Sequence, residues 1–187
     1  MDSDSFCSSA FPVVELSIDS PSWLCSVCFA NQHQIELQIK LLAEAVAKRL
    51  KLKPNFRISV LLSDDERLRQ LNKEFRGKDK PTNVLSFPSS SELRATMGGD
   101  FIGDIALSYE RVSCESIEFL KSFKEYFSHM IVHSILHLFG YDHVLNEEAK
   151  LMEQLESDIM ISLGFSCPYS SVKVDGAVLA DNIDNHA

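Results

Sequence analysis

Three histidines stand close together in the last third of the chain, in the stretch HSILHLFGYDH. His133 and His137 are four residues apart and His143 follows six residues later. Residues four apart lie on one face of a helix, so the first two imidazoles can point at a common position. A third ligand another turn along the same helix would be about 12 Å from the first, too far to share one ion. Gly140 is well placed to end the helix and turn the chain back, which would return His143 to the same position.

This spacing predicts a metal centre. Burying three titratable rings on an otherwise apolar helix is costly unless they serve a shared purpose. We therefore predict one metal ion held by His133, His137 and His143, with zinc as the first choice and another divalent transition metal as the alternative. Three protein ligands leave the fourth position open, which is typical of catalytic rather than structural zinc.

Two neighbouring residues have more than one interpretation. His129 lies one turn before His133 but is too far from His137 to bind the same ion. It is either a core histidine or a residue that supports the site. Asp142 is a candidate hydrogen-bond partner for a ligand imidazole, and it could equally cap the turn that leads to His143.

A basic cluster stands out in an acidic chain, whose formal net charge is −9. It comprises Lys73, Arg76, Lys78 and Lys80. On sequence alone this cluster could be an ordinary solvated loop. Next to a catalytic metal, however, it would form a positively charged edge of the site that binds phosphates. We predict that Arg76, Lys78 and Lys80 bind them.

The elements that must position these residues follow from hydrophobic periodicity. Strands are predicted at residues 14–18, 57–62, 83–87 and 101–108. Helices are predicted at residues 33–50, 63–75, 118–139 and 146–164. The segment 118–139 is apolar on every face after Tyr126, which is typical of a helix in the middle of a fold. We predict an α+β fold with a mixed four-stranded sheet, about five helices, and one central buried helix that carries the metal ligands.

Length and composition favour one soluble domain. The chain has 187 residues, of which 45% are hydrophobic and 24% charged. We predict an N-terminal tail at residues 1–10, a single domain at 11–170 and a disordered acidic tail at 171–187. The longest apolar stretch contains three histidines and is too short to span a membrane. The first residues lack the basic start of a secretory signal, and five scattered cysteines fit a reducing compartment, so a cytoplasmic protein is expected.

The histidine spacing also resembles that of the metzincin proteases. Those enzymes carry a glutamate directly after the first histidine, where it serves as the general base. This chain has Ser134 at that position, and its hydroxyl cannot accept a proton at neutral pH. A conventional protease is therefore disfavoured.

Three motifs together resemble the YbeY family of metal-dependent endoribonucleases. They are RGKDKPTNVLSFP at residues 76–88, GDIALS at 103–108 and HSILHLFGYDH at 133–143. They occur in the family's order, and the resemblance covers about residues 55–170. The family usually has glycine where this chain has Ser134, and serine is small enough to take its place.

The resemblance implies a function in ribosomal RNA maturation. The family is associated with processing of the 3′ end of the small-subunit (16S) RNA and with ribosome quality control. Its members act on single-stranded RNA, and proposed partners include the small ribosomal subunit and its assembly factors. By this resemblance His133, His137 and His143 bind the metal and Arg76 is implicated in activity. We predict Arg76 and His133 as the catalytic residues. The metal would polarise a phosphate oxygen, activate water, or both.

Two alternatives from other classes remain at this stage. One is a zinc metallopeptidase-like hydrolase whose general base comes from elsewhere in the chain. The other is a ribosome-assembly binding protein with a structural zinc. Structural sites usually have a fourth protein ligand, often cysteine, so Cys114 or Cys167 near the histidines would favour the binding protein.

Overall fold

A computed structural model gives the arrangement of residues 11–25, 29–90, 96, 99–143 and 145–170. The two predicted tails, residues 1–10 and 171–187, lie outside these described residues. None of the helices in the described part is both long enough and apolar enough to cross a membrane.

One four-stranded sheet organises the fold. Its strands are β1 (Val13–Ile18), β2 (Arg57–Ser63), β3 (Val84–Pro88) and β4 (Phe101–Ser108). They lie in the order β1-β2-β4-β3. The first three in this order are parallel, and β3 runs antiparallel to β4 at one edge. The predicted mixed sheet is confirmed.

Five α-helices accompany the sheet in the described residues, as predicted. They are α1 (Gln32–Arg49), α2 (Asp65–Arg76), α3 (Tyr109–Glu118), α4 (Phe123–Leu138) and α5 (Asn146–Ser162). A short 3-10 helix, Pro21–Leu24, precedes α1. Helix α2 packs on the sheet through a small apolar cluster of Leu68, Leu85 and Ala106, while α1, α4 and α5 enclose the main core.

The predicted helix at residues 118–139 starts too early. The chain leaves α3 at Glu118, and Leu120 adopts a left-handed conformation with φ of 54°. Ser122 then caps α4 by accepting a hydrogen bond from the backbone N–H of Glu125. A left-handed residue breaks the helical hydrogen-bond pattern, and an N-cap serine begins a new helix. The predicted segment therefore contains a turn followed by α4, and α3 at residues 109–118 is a separate helix that was not among the predicted ranges.

Helix α4 lies in the middle of the molecule. Eleven of its sixteen residues are buried, and its apolar side chains reach both the sheet and the neighbouring helices. Its last residue, Leu138, packs against the start of β4 at Gly103. A Cβ on Gly103 would lie 2.3 Å from the carbonyl oxygen of Phe87 and 2.8 Å from Cδ2 of Leu138. This glycine therefore lets the end of α4 approach the end of β3 closely.

Candidate metal centre

The chain reverses direction immediately after α4. Gly140 has φ of 90°, and its N–H donates to the carbonyl oxygen of His137 at 2.9 Å. The N–H of Tyr141 donates to the carbonyl oxygen of Leu136 at 3.1 Å. These bonds end the helix at a residue in the left-handed conformation, which glycine adopts without steric cost. The predicted turn at Gly140 is confirmed, and it carries His143 back towards α4.

The turn brings together the three residues that we call the histidine cluster, His133, His137 and His143. One ring nitrogen from each lies within 4.8 Å of the others. The Nε2 atoms of His133 and His137 are 3.1 Å apart. Two nitrogens that bind one tetrahedral zinc at about 2.0–2.1 Å lie about 3.3–3.4 Å from each other. The donor set therefore fits a single transition-metal ion with small adjustments.

The electrostatics of the cluster favour the neutral imidazole, the form that binds metal, at His137 and His143. Burial, together with the charges of His133 and His143, lowers the pKa of His137 to about 4. Burial and the neighbouring His133 also lower the pKa of His143. All three rings are half-buried, so the cluster keeps a side open to solvent.

A buried carboxylate that the sequence analysis missed supports the cluster. Glu156 on α5 is 1% exposed, and its Oε1 lies 2.8 Å from Nδ1 of His133. Its Oε2 lies 2.6 Å from Nε2 of His129 and also accepts a hydrogen bond from the hydroxyl of Tyr169. Burial by itself would raise the pKa of Glu156, but attraction to His133 and His129 outweighs burial and lowers this pKa well below its usual range.

This contact determines how His133 presents its ring. An ionised carboxylate only accepts hydrogen bonds, so Nδ1 of His133 must carry the proton that bonds to Glu156. When the ring binds a metal in its neutral form, its lone pair is then on Nε2, the atom that faces His137. One sequence signal could have revealed Glu156. It occupies a core position on α5, in the apolar face formed by Met152, Leu155, Ile159 and Met160.

The two ambiguous neighbours of the cluster now have defined contacts. His129 is buried and bonds to the same carboxylate as His133. Asp142 is exposed, and its Oδ1 accepts a hydrogen bond from the backbone N–H of His143 at 2.7 Å. This bond is the turn-capping arrangement rather than a bond to an imidazole ring.

The predicted phosphate-binding residues lie in the basic segment, residues 73–80, which includes the end of α2. Buried Asn72 fixes the backbone here, because its side chain donates to the carbonyl oxygen of Lys80 at 2.8 Å. Its own carbonyl oxygen accepts from the N–H of Lys78 at 3.2 Å. Asp79 forms ion pairs with Arg69 and Lys73, at 2.7 and 2.8 Å. The segment therefore has an ordered backbone and a partly neutralised charge.

The end of α2, where Arg76 lies, packs near the end of β3. Arg76 is the half-buried last residue of α2. The ring of the preceding residue, Phe75, lies 5.0 Å from the ring of Phe87 on β3. The carbonyl oxygen of Phe87 borders Gly103, and so does the side chain of Leu138, which follows His137. The ends of α2, β3 and α4 thus meet in one region.

Comparison with known proteins agrees with this site. A family model described as "Endoribonuclease YbeY" matches residues 26–164, which include the histidine cluster, Glu156 and the basic segment but not Tyr169. The chain belongs to the YbeY family. The predicted resemblance is confirmed, and its three motifs lie within the matched region.

Individual YbeY relatives are similar over 60% of the chain. An Endoribonuclease YbeY of Sinorhizobium fredii is 46% identical over 60% of this chain and 65% of its own length. Those of Agrobacterium fabrum and Chelativorans sp. are 48% and 50% identical, over 67% and 69% of their lengths. The chain thus matches about two thirds of these relatives. A solution structure from Thermotoga maritima shares the fold, with a TM-score of 0.51, 24% identity and coverage of 81% of this chain and 92% of that one.

The candidate ligand set argues against the alternative of a binding protein with a structural zinc. Among the described residues, the group able to hold a metal consists of the three histidines and includes neither Cys114 nor Cys167. Cys114 is exposed on α3, and the thiol of Cys167 lies 3.5 Å from the hydroxyl of Ser157. A fourth protein ligand, the usual mark of structural zinc, is not part of this group.

Proposed function

We propose that this protein is a metal-dependent endoribonuclease that cleaves single-stranded RNA during ribosomal RNA maturation. The observation that carries the proposal is the histidine cluster, in which three imidazoles converge and leave one side open to solvent. Membership of a family described as an endoribonuclease supports phosphodiester hydrolysis as the reaction. The proposed substrate is the 3′ end of the small-subunit (16S) RNA. The protein would also act in ribosome quality control.

His133, His137 and His143 would hold one zinc ion. Their nitrogen donors suit zinc, although other divalent transition metals accept the same ligands. When bound, the ion supplies a positive charge that polarises a phosphate oxygen or a water molecule. Glu156 holds the ring of His133 in the tautomer that can bind the metal, and in this way it supports metal affinity.

Arg76 would act on the phosphate. A guanidinium keeps its proton at neutral pH and can donate two parallel hydrogen bonds to phosphate oxygens. In a half-buried position it stabilises charge that develops on the phosphoryl group. Lys78 and Lys80 would hold flanking phosphates of the RNA as positive charges.

The proposed setting is the cytoplasm, where the small ribosomal subunit and its assembly factors are the expected partners. Residues 11–170 would form the single catalytic domain.

Neither of the two alternative functions, the peptidase and the binding protein with a structural zinc, is favoured. The peptidase would need a general base, yet the residue after His133 is Ser134, which is buried, and Glu156 is occupied by two histidines. The structural-zinc protein would need a fourth protein ligand.

The direct test is single-turnover cleavage of a single-stranded RNA from the 3′ end of the small-subunit RNA. We expect cleavage that a chelator abolishes and that zinc or another divalent metal restores. Casein treated in the same way should remain intact. Cleavage of casein but not of RNA would replace this proposal by the peptidase. The chemical ends of the products identify the nucleophile, since a 2′,3′-cyclic phosphate indicates the RNA hydroxyl and a 5′-phosphate indicates water.

A further inference from the structure

The chain beyond α5 folds back over the metal centre's buried side. We call residues 165–170 the C-terminal strap. The side chain of Lys121, which follows α3, anchors the strap by donating to the hydroxyl of Ser166 at 2.9 Å and to the carbonyl oxygen of Cys167 at 3.1 Å. The backbone N–H of Ser166 donates to Glu125 on α4 at 3.2 Å. The turn after α3 and the first turn of α4 thus hold the strap in place.

The strap places Tyr169 against the buried carboxylate. The hydroxyl of Tyr169 donates to Oε2 of Glu156, and its ring lies 5.7 Å from the ring of His129 at an angle of 87°. A cavity of about 20 Å³, enough for one water molecule, is lined by His129 together with Ser166 and Pro168 of the strap. The strap, through Tyr169 and the lining of this cavity, therefore covers His129 and Glu156.

Glu156 connects Tyr169 to the metal centre. Its Oε2 accepts hydrogen bonds from Tyr169 and His129, and its Oε1 accepts one from His133. A carboxylate that is 1% exposed depends on protein donors to replace its hydration. Three donors in fixed directions also prevent the carboxylate from rotating, so that Oε1 stays aligned with Nδ1 of His133. Removal of one donor leaves Oε2 under-satisfied and loosens this alignment.

We propose that Tyr169 is a positioning residue of the metal centre, which acts through Glu156 to orient His133. The inference deepens the proposed function and rests on a metal ion bound by the histidine cluster. Tyr169 lies outside the region matched by the family model, 26–164, so the family comparison assigns it no role. If its hydroxyl only stabilised the fold, its loss would lower the melting temperature and leave metal affinity unchanged.

The test compares two tyrosine-to-phenylalanine variants of the full chain. Tyr169→Phe removes the hydroxyl that bonds to Glu156. Tyr126→Phe is the matched control, because the hydroxyl of Tyr126 donates to a different carboxylate, Glu115, at 2.6 Å. Zinc affinity is measured by competition with a chromophoric chelator, and the visible spectrum of the cobalt-loaded protein reports the ligand geometry. Melting of the metal-free proteins measures the structural contribution separately.

We expect both variants to melt at lower temperature when metal-free, but only Tyr169→Phe to bind zinc more weakly. A loss of about tenfold is the lower end of what residues supporting a metal ligand contribute, and Glu156→Gln should lose about 10- to 100-fold. The cobalt spectrum should change in Tyr169→Phe and not in Tyr126→Phe. Zinc affinity within about twofold of wild type in Tyr169→Phe, with an unchanged cobalt spectrum, would overturn the inference.

These outcomes separate the inference from the proposed function. A wild-type protein that binds zinc but cleaves no RNA would refute the endoribonuclease assignment and leave the role of Tyr169 intact. Equal zinc affinity in wild type and Tyr169→Phe, with RNA cleaved by the wild type, would refute only the role of Tyr169. A wild-type protein that takes up no metal would refute both.

Discussion

The histidine cluster and the basic segment differ in how the protein holds their side chains. In the histidine cluster, a buried carboxylate fixes one ring, and a helix end and its turn set the positions of the other two. In the basic segment, Asn72 fixes the backbone, while Lys73 and Lys80 extend into solvent and Asp79 neutralises part of the charge. Metal ligands must converge within tenths of an ångström, whereas phosphate attraction acts over several ångströms. The two regions thus fit chemistry and substrate binding respectively.

The largest expected effect is at the cluster itself. The double variant His133→Ala/His137→Ala removes two of three ligands, so we expect loss of bound metal and of RNA cleavage. Metal content of the purified protein and single-turnover cleavage measure both. His33→Ala, at an exposed position near the start of α1, is the control and should keep both. Full metal content in the double variant would refute the site.

Arg76→Ala should separate chemistry from metal binding. Guanidinium has no lone pair to offer a metal, so the metal content should be unchanged. Loss of one charged contact to the transition state typically costs about 10²–10³-fold in rate. Arg76→Lys, which keeps the charge but not the planar guanidinium, should recover only part of the lost cleavage rate. Arg67→Ala, an exposed arginine on the same helix, should cleave like wild type. Wild-type rates in Arg76→Ala would return the basic segment to an ordinary solvated loop.

A smaller effect is expected from the other charges of the basic segment. Lys78→Ala should weaken RNA binding and reduce the slope of log affinity against log salt by about 0.7, the value for one phosphate contact on a single strand. Asp79→Asn should strengthen binding and steepen the slope, because it releases Arg69 and Lys73 from their ion pairs. Lys53→Ala, at an exposed position before β2, is the control for net charge. Equal slopes in all three variants would exclude a specific phosphate contact at Lys78.

The smallest effect concerns stability in the buried region. The hydroxyl of Ser134 on α4 is buried and has no hydrogen-bond partner. Ser134→Ala removes an unsatisfied group and improves helix propensity, so the free energy of unfolding should rise by about 1 kcal/mol. Ser134→Gly should fold and remain active, but glycine lowers helix propensity by about 1 kcal/mol relative to alanine. Urea denaturation compares the three proteins. A loss of stability in Ser134→Ala would mean that the hydroxyl is bonded in solution.

Much of the fold was predictable because its signals are local. Strands such as 101–108 and helices such as 33–50 have the periodicity of their own residues, and the structure places them within one or two residues of the prediction. The boundary between α3 and α4 was missed, since apolar residues continue through the turn at Leu120 and hide the break. Ser122, the cap that begins α4, is visible in the sequence, but the apolar residues on both sides of it favour one longer helix.

By itself, the sequence determined that His133 and His137 share a helix face and that Gly140 turns the chain back towards them. Spacing along a helix and the left-handed conformation of glycine are properties of a few adjacent residues. Only the tertiary structure decided which carboxylate supports the centre. Asp142 is adjacent to His143 in sequence, yet Glu156, which is 23 residues from His133, holds the ligand ring. The reason is packing, because α5 lies against α4 and carries Glu156 into the core, where a buried charge must find its donors among whatever side chains the fold brings there.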